Sequence, residues 1–482
     1  MKRDAEQLRF TASDVATFAE CTHKTALDLA VNEGKHSPPP FYSDPMAKLL
    51  RERGIAHEVA YLGTLQQTRA VEEIATEPAD AAQRTLEAMR RGVDVIYQGT
   101  LQSGPWAGRP DFLMRVAQPR GTWAWSYEPA DAKLALTAKA QGMLQLCFYA
   151  ELLAHLQGVR PERMTLVLGD MREETFVTAR YQAYFRLIRR RFEQAVASPS
   201  VTYPEPVEHC NICDWFGECS ARRRADDHLS LVAGISSSQR RALDLVAIRQ
   251  VGELAALSSS MPVKGIGRSA LTRVREQARI QVLGRDAGTH VYELIPDVED
   301  GCGLSRLPEP SAGDLFVDLE GDSFAPDGGI EYLFGVAARP SDATSQPPYT
   351  ALWALDATSE RVAFERLIAI ISQRRSQHPG MHVYHYAPYE RTAFERLAGR
   401  YATCVDSLDE LLRAKVFIDL YGVMRQAVRA SVESYSIKRL EPLYGFERDV
   451  PLPVANRNLA AFSAWLEIAH IDLKTVGRAA GI

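Results

Sequence analysis

Two acidic motifs on either side of a turn constrain this chain more than any other stretch. Asp111, at the end of Gly108-Arg109-Pro110-Asp111, opens a strand-like run, Phe112-Leu113-Met114-Arg115-Val116. Gln118-Pro119-Arg120-Gly121 is turn chemistry, and Trp123 to Lys133 reads as the returning arm of a hairpin. Such a hairpin brings Asp111 and Asp131 to one end of a sheet. Strand side chains alternate, so Asp131 and Lys133 share a face and Glu128 takes the other. Two hard carboxylates suit Mg²⁺ or Mn²⁺ held against a phosphodiester, and Lys133 could orient the attacking water or offset phosphate charge. Gln145 and Tyr149 follow one turn apart on the next predicted helix. That pair equally describes a half-buried helix face.

The order acid, acid-x-Lys, Gln-x-x-x-Tyr resembles the RecB-like branch of the PD-(D/E)XK nucleases. Arg53-Gly54-Ile55-Ala56-His57-Glu58 matches that family's first motif, and the resemblance makes His57 a metal ligand. It implies catalytic roles for Asp111, Asp131, Lys133, Gln145 and Tyr149, with His57, Asp111 and Asp131 on the metal. Leu49, Leu50, Ile55, Val59 and Leu62 predict a helix between Ser43 and Gln67, placing His57 toward the sheet. A helix from Ala79 to Arg91, a strand at Val93–Tyr97 and another at Met164–Gly169 complete an α/β order.

A chain of 482 residues exceeds one ordinary core and predicts two or three domains. With 46% hydrophobic and 24% charged residues it is globular in composition, and no apolar run is long enough to cross a bilayer. No signal-type stretch follows Met1-Lys2-Arg3-Asp4-Ala5-Glu6, so a cytoplasmic location and no membrane partner are expected. The net charge of −5 does not advertise nucleic-acid binding. Local basic surface can still contact phosphate, and Arg189-Arg190-Arg191 and Arg222-Arg223-Arg224 offer it, unless they are solvated helix faces.

Seven cysteines in a chain of this kind argue against a disulfide framework. Cys210-x₂-Cys213-x₅-Cys219 follows a loop region at Pro199–Pro206, with a lone Cys21 near the N-terminus. This one-plus-three arrangement resembles the iron–sulfur nucleases of the AddB and CRISPR-associated type, which implies a [4Fe-4S] cluster on Cys21, Cys210, Cys213 and Cys219. Structural Zn²⁺ is the alternative occupant of such a cysteine set. Cys147, Cys302 and Cys404 read as ordinary thiols.

Past Arg224 the composition changes. Val263-Lys264-Gly265-Ile266-Gly267-Arg268-Ser269-Ala270, followed by a predicted helix over Ala270–Val282, has the form of a helix-hairpin-helix turn, with Val251-Gly252-Glu253-Leu254-Ala255 as a degenerate copy. Glycines at 265 and 267 would let backbone N–H groups meet a DNA phosphate, and a plain helical linker is the competing reading. A Gly/Pro-rich boundary at Pro296–Gly313 precedes Asp314-Leu315-Phe316-Val317-Asp318-Leu319-Glu320-Gly321-Asp322, a buried-strand pattern with Asp318 and Glu320 on one face. Two acids so placed on a first strand are how RNase H-like DEDD exonucleases begin a two-metal site. With His382–Tyr386, Pro388-Tyr389-Glu390, Asp419-Leu420-Tyr421 and Ser434–Glu441, this part resembles the YprB-type RNase H-like fold, Glu390 falling at the third acid. Asp419 is a second-site candidate or a structural residue. The family's fourth acid has no counterpart in the tail from Ala469 to Ile482, which predicts an incomplete second site.

The whole order resembles RecB-like nucleases whose longer members continue into a superfamily 1 helicase. The expected architecture is therefore α/β multidomain: a PD-(D/E)XK restriction-endonuclease-like core over 1–225 closed by the cysteines, a small helix-hairpin-helix region over 226–295, and an RNase H-like α/β domain over 310–482. No Gly-x-x-x-x-Gly-Lys-Ser/Thr phosphate loop occurs, so no motor is expected in these residues, and the chain reads either as a truncated gene or as a subunit working with a separate helicase. The expected activity is Mg²⁺- or Mn²⁺-dependent hydrolysis of DNA, on single strands or ends. A non-catalytic nucleic-acid-binding subunit and an exonuclease acting through the C-terminal domain are the alternatives.

Overall fold

The computed structural model describes the chain except residues 5–6, 41–43, 76–79, 118–122, 296–300, 326–327, 341–346, 452–453, 456 and 467–482. The expected turn at Gln118–Gly121, the start of the 296–313 boundary and the tail from Ala469 therefore lie outside the described residues. The chain divides into two compact units, Met1–Ser220 and Ala221–Ile482. Among the described residues, no helix is long and apolar enough to cross a membrane.

The first unit is built on a six-stranded mixed sheet. In chain order its strands are β1 (Val71–Glu73), β2 (Val95–Tyr97), β3 (Phe112–Val116), β4 (Ser126–Ala132), β5 (Arg163–Val167) and β6 (Glu173–Val177), and they lie side by side in that same order. β3 and β4 are antiparallel, with Phe112 opposite Ala130, so Asp111 and Asp131 emerge at the same end. β5 runs parallel to β4 with Asp131 opposite Leu166, carrying the end of β5 to Lys133. The centre is apolar on both faces: Val95, Ile96, Phe112, Leu113 and Tyr127 are fully buried.

Helices α1 (Ala12–Glu20), α2 (Thr22–Asn32), α3 (Pro45–Gln66), α4 (Ala81–Arg91), α5 (Ala140–Gln157) and α6 (Gln182–Ala197) complete the first unit. α3 starts where Asp44 accepts the Met46 N–H, with proline in the first turn. Its packing differs from expectation: Ile55 and Val59 are 56% and 51% exposed. The buried row instead steps by four, through Leu49, Arg53, Tyr61 and Leu65, and the half-buried His57 sits on it. Under the sheet α5 buries Leu146, Cys147, Phe148, Ala150 and Leu153, while α6 contributes Phe185, Ile188 and Phe192 at helical spacing.

The second unit opens with short helices α7 (Ser237–Asp244) and α8 (Val251–Ala255) and the long α9 (Arg268–Ala287). Leu243, Val251, Leu254, Val263, Leu271 and Val274 form their small core. α9 is longer at both ends than the predicted Ala270–Val282. Gly265 stands at φ +90°, a value that favours glycine, and Gly267 caps α9. α9 is also sewn into the C-terminal part of the unit. Gln277 Nε2 donates to Ala430 O (2.9 Å) and its Oε1 accepts from the Tyr435 hydroxyl (2.9 Å). The strand Tyr292–Leu294 pairs with Val428–Ala430. The regions expected at 226–295 and 310–482 thus share one unit.

A five-stranded sheet completes that unit, from β7 (Leu315–Asp322), β8 (Ile330–Ala338), β9 (Tyr349–Trp353), β10 (Val383–His385) and β11 (Phe417–Asp419), in the order β9-β8-β7-β10-β11. β7, β10 and β11 are mutually parallel and the other neighbours antiparallel. One face of β7 (Leu315, Val317, Leu319) is buried with Phe364, Leu367 and Ile371 of α10 (Ala357–Gln377) and with Phe394 and Leu397 of α11 (Tyr389–Tyr401). The alternate residues Phe316, Asp318 and Glu320 face the other way.

Candidate functional site

In the first unit the hairpin assembles two carboxylates and a lysine. Asp131, only 2% exposed, accepts the Asp111 N–H at Oδ1 (3.1 Å) and Lys133 Nζ at Oδ2 (2.6 Å). Asp111 Oδ2 in turn accepts the Ala132 N–H (2.8 Å). Each acid is oriented by the other's strand. Glu128 lies elsewhere and accepts the Arg163 N–H. Burial, then the Asp131 charge, push the Asp111 carboxyl up to about 9 against the opposing pull of Lys133. Burial works against the Lys133 ammonium, but Asp131 and Asp111 outweigh it and hold it protonated.

The other expected residues are placed unequally. Tyr149 is buried beside the pair, and its hydroxyl is pushed up by burial and by the Asp131 and Asp111 charges. Gly108 makes this possible: a Cβ there would stand 2.9 Å from the Phe148 and Tyr149 rings. Gln145 is half-buried and, among the described residues, has no hydrogen bond to either acid. His57 Nε2 lies 3.3 Å from Val167 O, the carbonyl that also accepts the Lys133 N–H (2.8 Å).

Sequence reasoning passed over Glu58. Its charge acts on both Asp111 and Lys133, and it is hydrogen-bonded by the Gln98 side chain and by Tyr97. The signal was there: Glu58 is one residue, about 100° of helix, from His57. Gln98 was invisible in the sequence. It stands at φ 56°, rare for a residue with a side chain, and donates its N–H to Asp111 O (2.8 Å).

The residues present fit a divalent cation. Three carboxylates and one ammonium crowd a buried corner, and a proton on Asp111 balances a charge that a hard cation would balance instead. Among the described residues, no group of three or more His, Cys, Asp or Glu is arranged as a ready-made metal centre.

Cys213 has Cys21 and Cys210 as neighbours; burial first, and then these two thiols, push its own thiol up. Backbone N–H groups point at the sulfurs, from Lys24 to Cys21 (3.3 Å) and from Val207 to Cys210 (3.4 Å). Amides aimed at sulfur fit thiolate ligation. The surrounding chain is joined through His209 to Glu20 (2.7 Å), Trp215 to Asp28 (2.8 Å) and His36 to Glu218 (3.2 Å).

The arginine runs divide. Arg190 and Arg191 are exposed on α6. Arg222 pairs with Asp226 and Arg224 forks onto both Glu433 oxygens, both remaining exposed, while Arg223 is 6% exposed, so the second run is a solvated face tied to nearby acids around one buried arginine.

In the second unit Asp318 and Glu320 share the open face of β7. Glu390, on the first turn of α11 and 3% exposed, reaches the same point. Burial, then Glu320 and Glu390, push the Asp318 carboxyl up to about 6. Glu390 Oε2 is buried without a hydrogen-bond partner and lies 3.5 Å from His385 Nδ1, which bonds Ala387 O (2.7 Å). Three acids gathered beside one imidazole again fit a cation. Asp419 is engaged as a cap, accepting the Ala387 (3.0 Å) and Tyr421 (2.9 Å) N–H groups. Asp322 ends β7 and accepts the Phe324 N–H (3.0 Å).

A family model of the RNase_H superfamily, RNase_H_2, matches residues 315–475. No curated protein matches the chain. The second unit thus carries an RNase H-like match inside a mixed α/β multidomain chain, and that likeness points to a nucleic-acid-processing, nuclease-type function.

Proposed function

We propose that this chain is a Mg²⁺- or Mn²⁺-dependent deoxyribonuclease of the PD-(D/E)XK, RecB-like kind, hydrolysing phosphodiester bonds in single strands or at DNA ends. The observation that carries the reading is the buried Asp111–Asp131 pair bridged to Lys133. Asp111, Asp131 and His57 would hold the cation, with Glu58 beside them. The bound cation would supply Lewis acidity and a low-pKa water. Lys133 stands where its ammonium can meet a phosphate oxygen, and buried Tyr149 keeps bulk water from the back of the pair. Gln145 is assigned a substrate contact. Gly265 and Gly267 are assigned to the DNA backbone, and a separate helicase is the proposed partner. Cys21, Cys210, Cys213 and Cys219 are assigned a [4Fe-4S] cluster, with Zn²⁺ as the competing occupant.

The test is cleavage of labelled single- and double-stranded DNA with Mn²⁺ by anaerobically purified protein and by Asp131→Asn. Wild-type cleavage lost in the variant, with folding unchanged, supports the reading; equal cleavage overturns it. Iron and zinc analysis of the same sample decides the occupant of the cysteine set.

One observation favours a second reading. The gathering of Asp318, Glu320 and Glu390, within the RNase H-like match, points to cleavage in the second unit, on DNA or RNA. Loss of activity in Asp318→Asn with Asp131→Asn silent would establish it.

A further inference from the structure

β2 ends in a bend that changes where one side chain points. Tyr97 stands opposite Phe112 and packs on the α3 side of the sheet, while Ile96 packs on the α5 side. Side chains alternate along a strand, so an extended Gln98 would follow Ile96, away from α3. Instead Gln98 turns to φ 56°, and its Nε2 donates to Glu58 Oε1 on α3. The left-handed bend carries this amide from one face of the sheet to the other.

The main chain of Gln98 is engaged as well. Its N–H donates to Asp111 O (2.8 Å), adding one step to the β2–β3 ladder, and its C=O accepts from Arg109 Nε (3.1 Å). Gln98 thus holds the acid-bearing strand end through its backbone and the α3 carboxylate through its side chain. The Tyr97 hydroxyl bonds Glu58 too, so two consecutive residues grip that carboxylate. Left-handed backbone is unfavourable for a residue with a Cβ and easy for glycine. Were the bend alone needed, glycine would serve it better, and what glutamine adds is the amide on Glu58. The Glu58 charge in turn acts on Asp111 and Lys133.

We infer that Gln98 is a positioning residue for the cation site of the first unit: its amide aims the Glu58 carboxylate while its backbone fixes the Asp111 strand end, so that α3 and the hairpin present their acids as one set. The inference rests on the reading of Asp111 and Asp131 as cation ligands and names what aligns the third acid with them. Gln98 acts through Glu58 and touches neither cation nor substrate. A neutral amide suits the task, because a lysine or arginine there would offset the very charge a cation needs. Strained backbone of this kind persists where surrounding bonds over-determine it, and it clusters at functional sites.

The experiment is a Mn²⁺ titration of the full chain, read by the electron paramagnetic resonance of the free ion. The samples are the wild type, Asp131→Asn, Gln98→Gly, Glu58→Gln and the double variant Gln98→Gly, Glu58→Gln. Binding that Asp131→Asn removes belongs to the first unit. Gln98→Gly keeps the bend and its main-chain bonds and deletes the amide. It should weaken that binding about 10–100-fold, as loss of a ligand-orienting partner does. The double variant should bind within about twofold of Glu58→Gln alone, because the amide acts only through that carboxylate. Losses that multiply in the double variant make Gln98 a general staple of the fold and overturn the proposal, as does full affinity in Gln98→Gly. Should Gln98→Gly not fold, Gln98→Asn repeats the test, since asparagine tolerates positive φ and is one methylene shorter. Failure of the underlying reading looks different. Mn²⁺ binding untouched by Asp131→Asn removes the cation site and the proposal with it, whereas binding lost in Asp131→Asn and kept in Gln98→Gly removes only the positioning role.

Discussion

Asp111 is the residue on which stability and chemistry pull in opposite directions. Its carboxyl is raised to about 9 from an ordinary value of 3.8, so between those pH values the metal-free folded state binds more protons than the unfolded one. Stability from this group is therefore full below about pH 4 and is lost as pH rises toward about 9. Asp111→Asn should flatten that slope and raise the melting temperature at pH 8, by about 2–4 °C per kcal/mol gained, while abolishing Mn²⁺-dependent cleavage. Thermal melts at pH 5 and pH 8 check it; a lower melting temperature for the variant at pH 8 would refute it. Glu58→Gln should leave the fold intact and cost ~10–100-fold in cleavage or Mn²⁺ affinity, as removing a ligand-orienting group does. A metal titration of the variant reads this directly.

At the level of elements, the two strands of the hairpin were legible because strand alternation is a local rule, and Asp111, Asp131 and Lys133 obey it. α3 was legible as a helix but not in its packing. Ile55 and Val59 look like core residues by composition, whereas the row that packs runs through Arg53 and His57. Which helix row meets a sheet depends on the sheet's position, which no window of sequence contains. Gln98 escaped for a related reason, since nothing local demands a left-handed glutamine; the demand comes from Asp111 O across the strand pair. Gly108 marks how closely α5 approaches the hairpin. Gly108→Ala should cost about 1–3 kcal/mol through overpacking against Phe148 and Tyr149. Activity should fall with it, because Tyr149 stands behind the acids. Chemical denaturation measures the first effect, and unchanged stability would mean that the rings yield.

At the scale of the molecule, the chain is two compact units, and calorimetry should resolve two unfolding transitions, with Asp111→Asn moving one of them. A single transition displaced as a whole by the variant would contradict this. Composition shifts suggested three parts, because the Pro/Gly-rich stretch after Leu294 looks like a linker. What the sequence does not display is that Gln277 bonds residues more than 150 positions away and that Tyr292–Leu294 finds its partner strand at Val428–Ala430. Glutamine and short strands have no recognisable long-range signature. Pieces cut at that apparent boundary, 221–309 and 310–482, would each expose half of a shared sheet and half of a buried amide network. Expressed together they should reassemble as a split protein, and expressed apart each should aggregate.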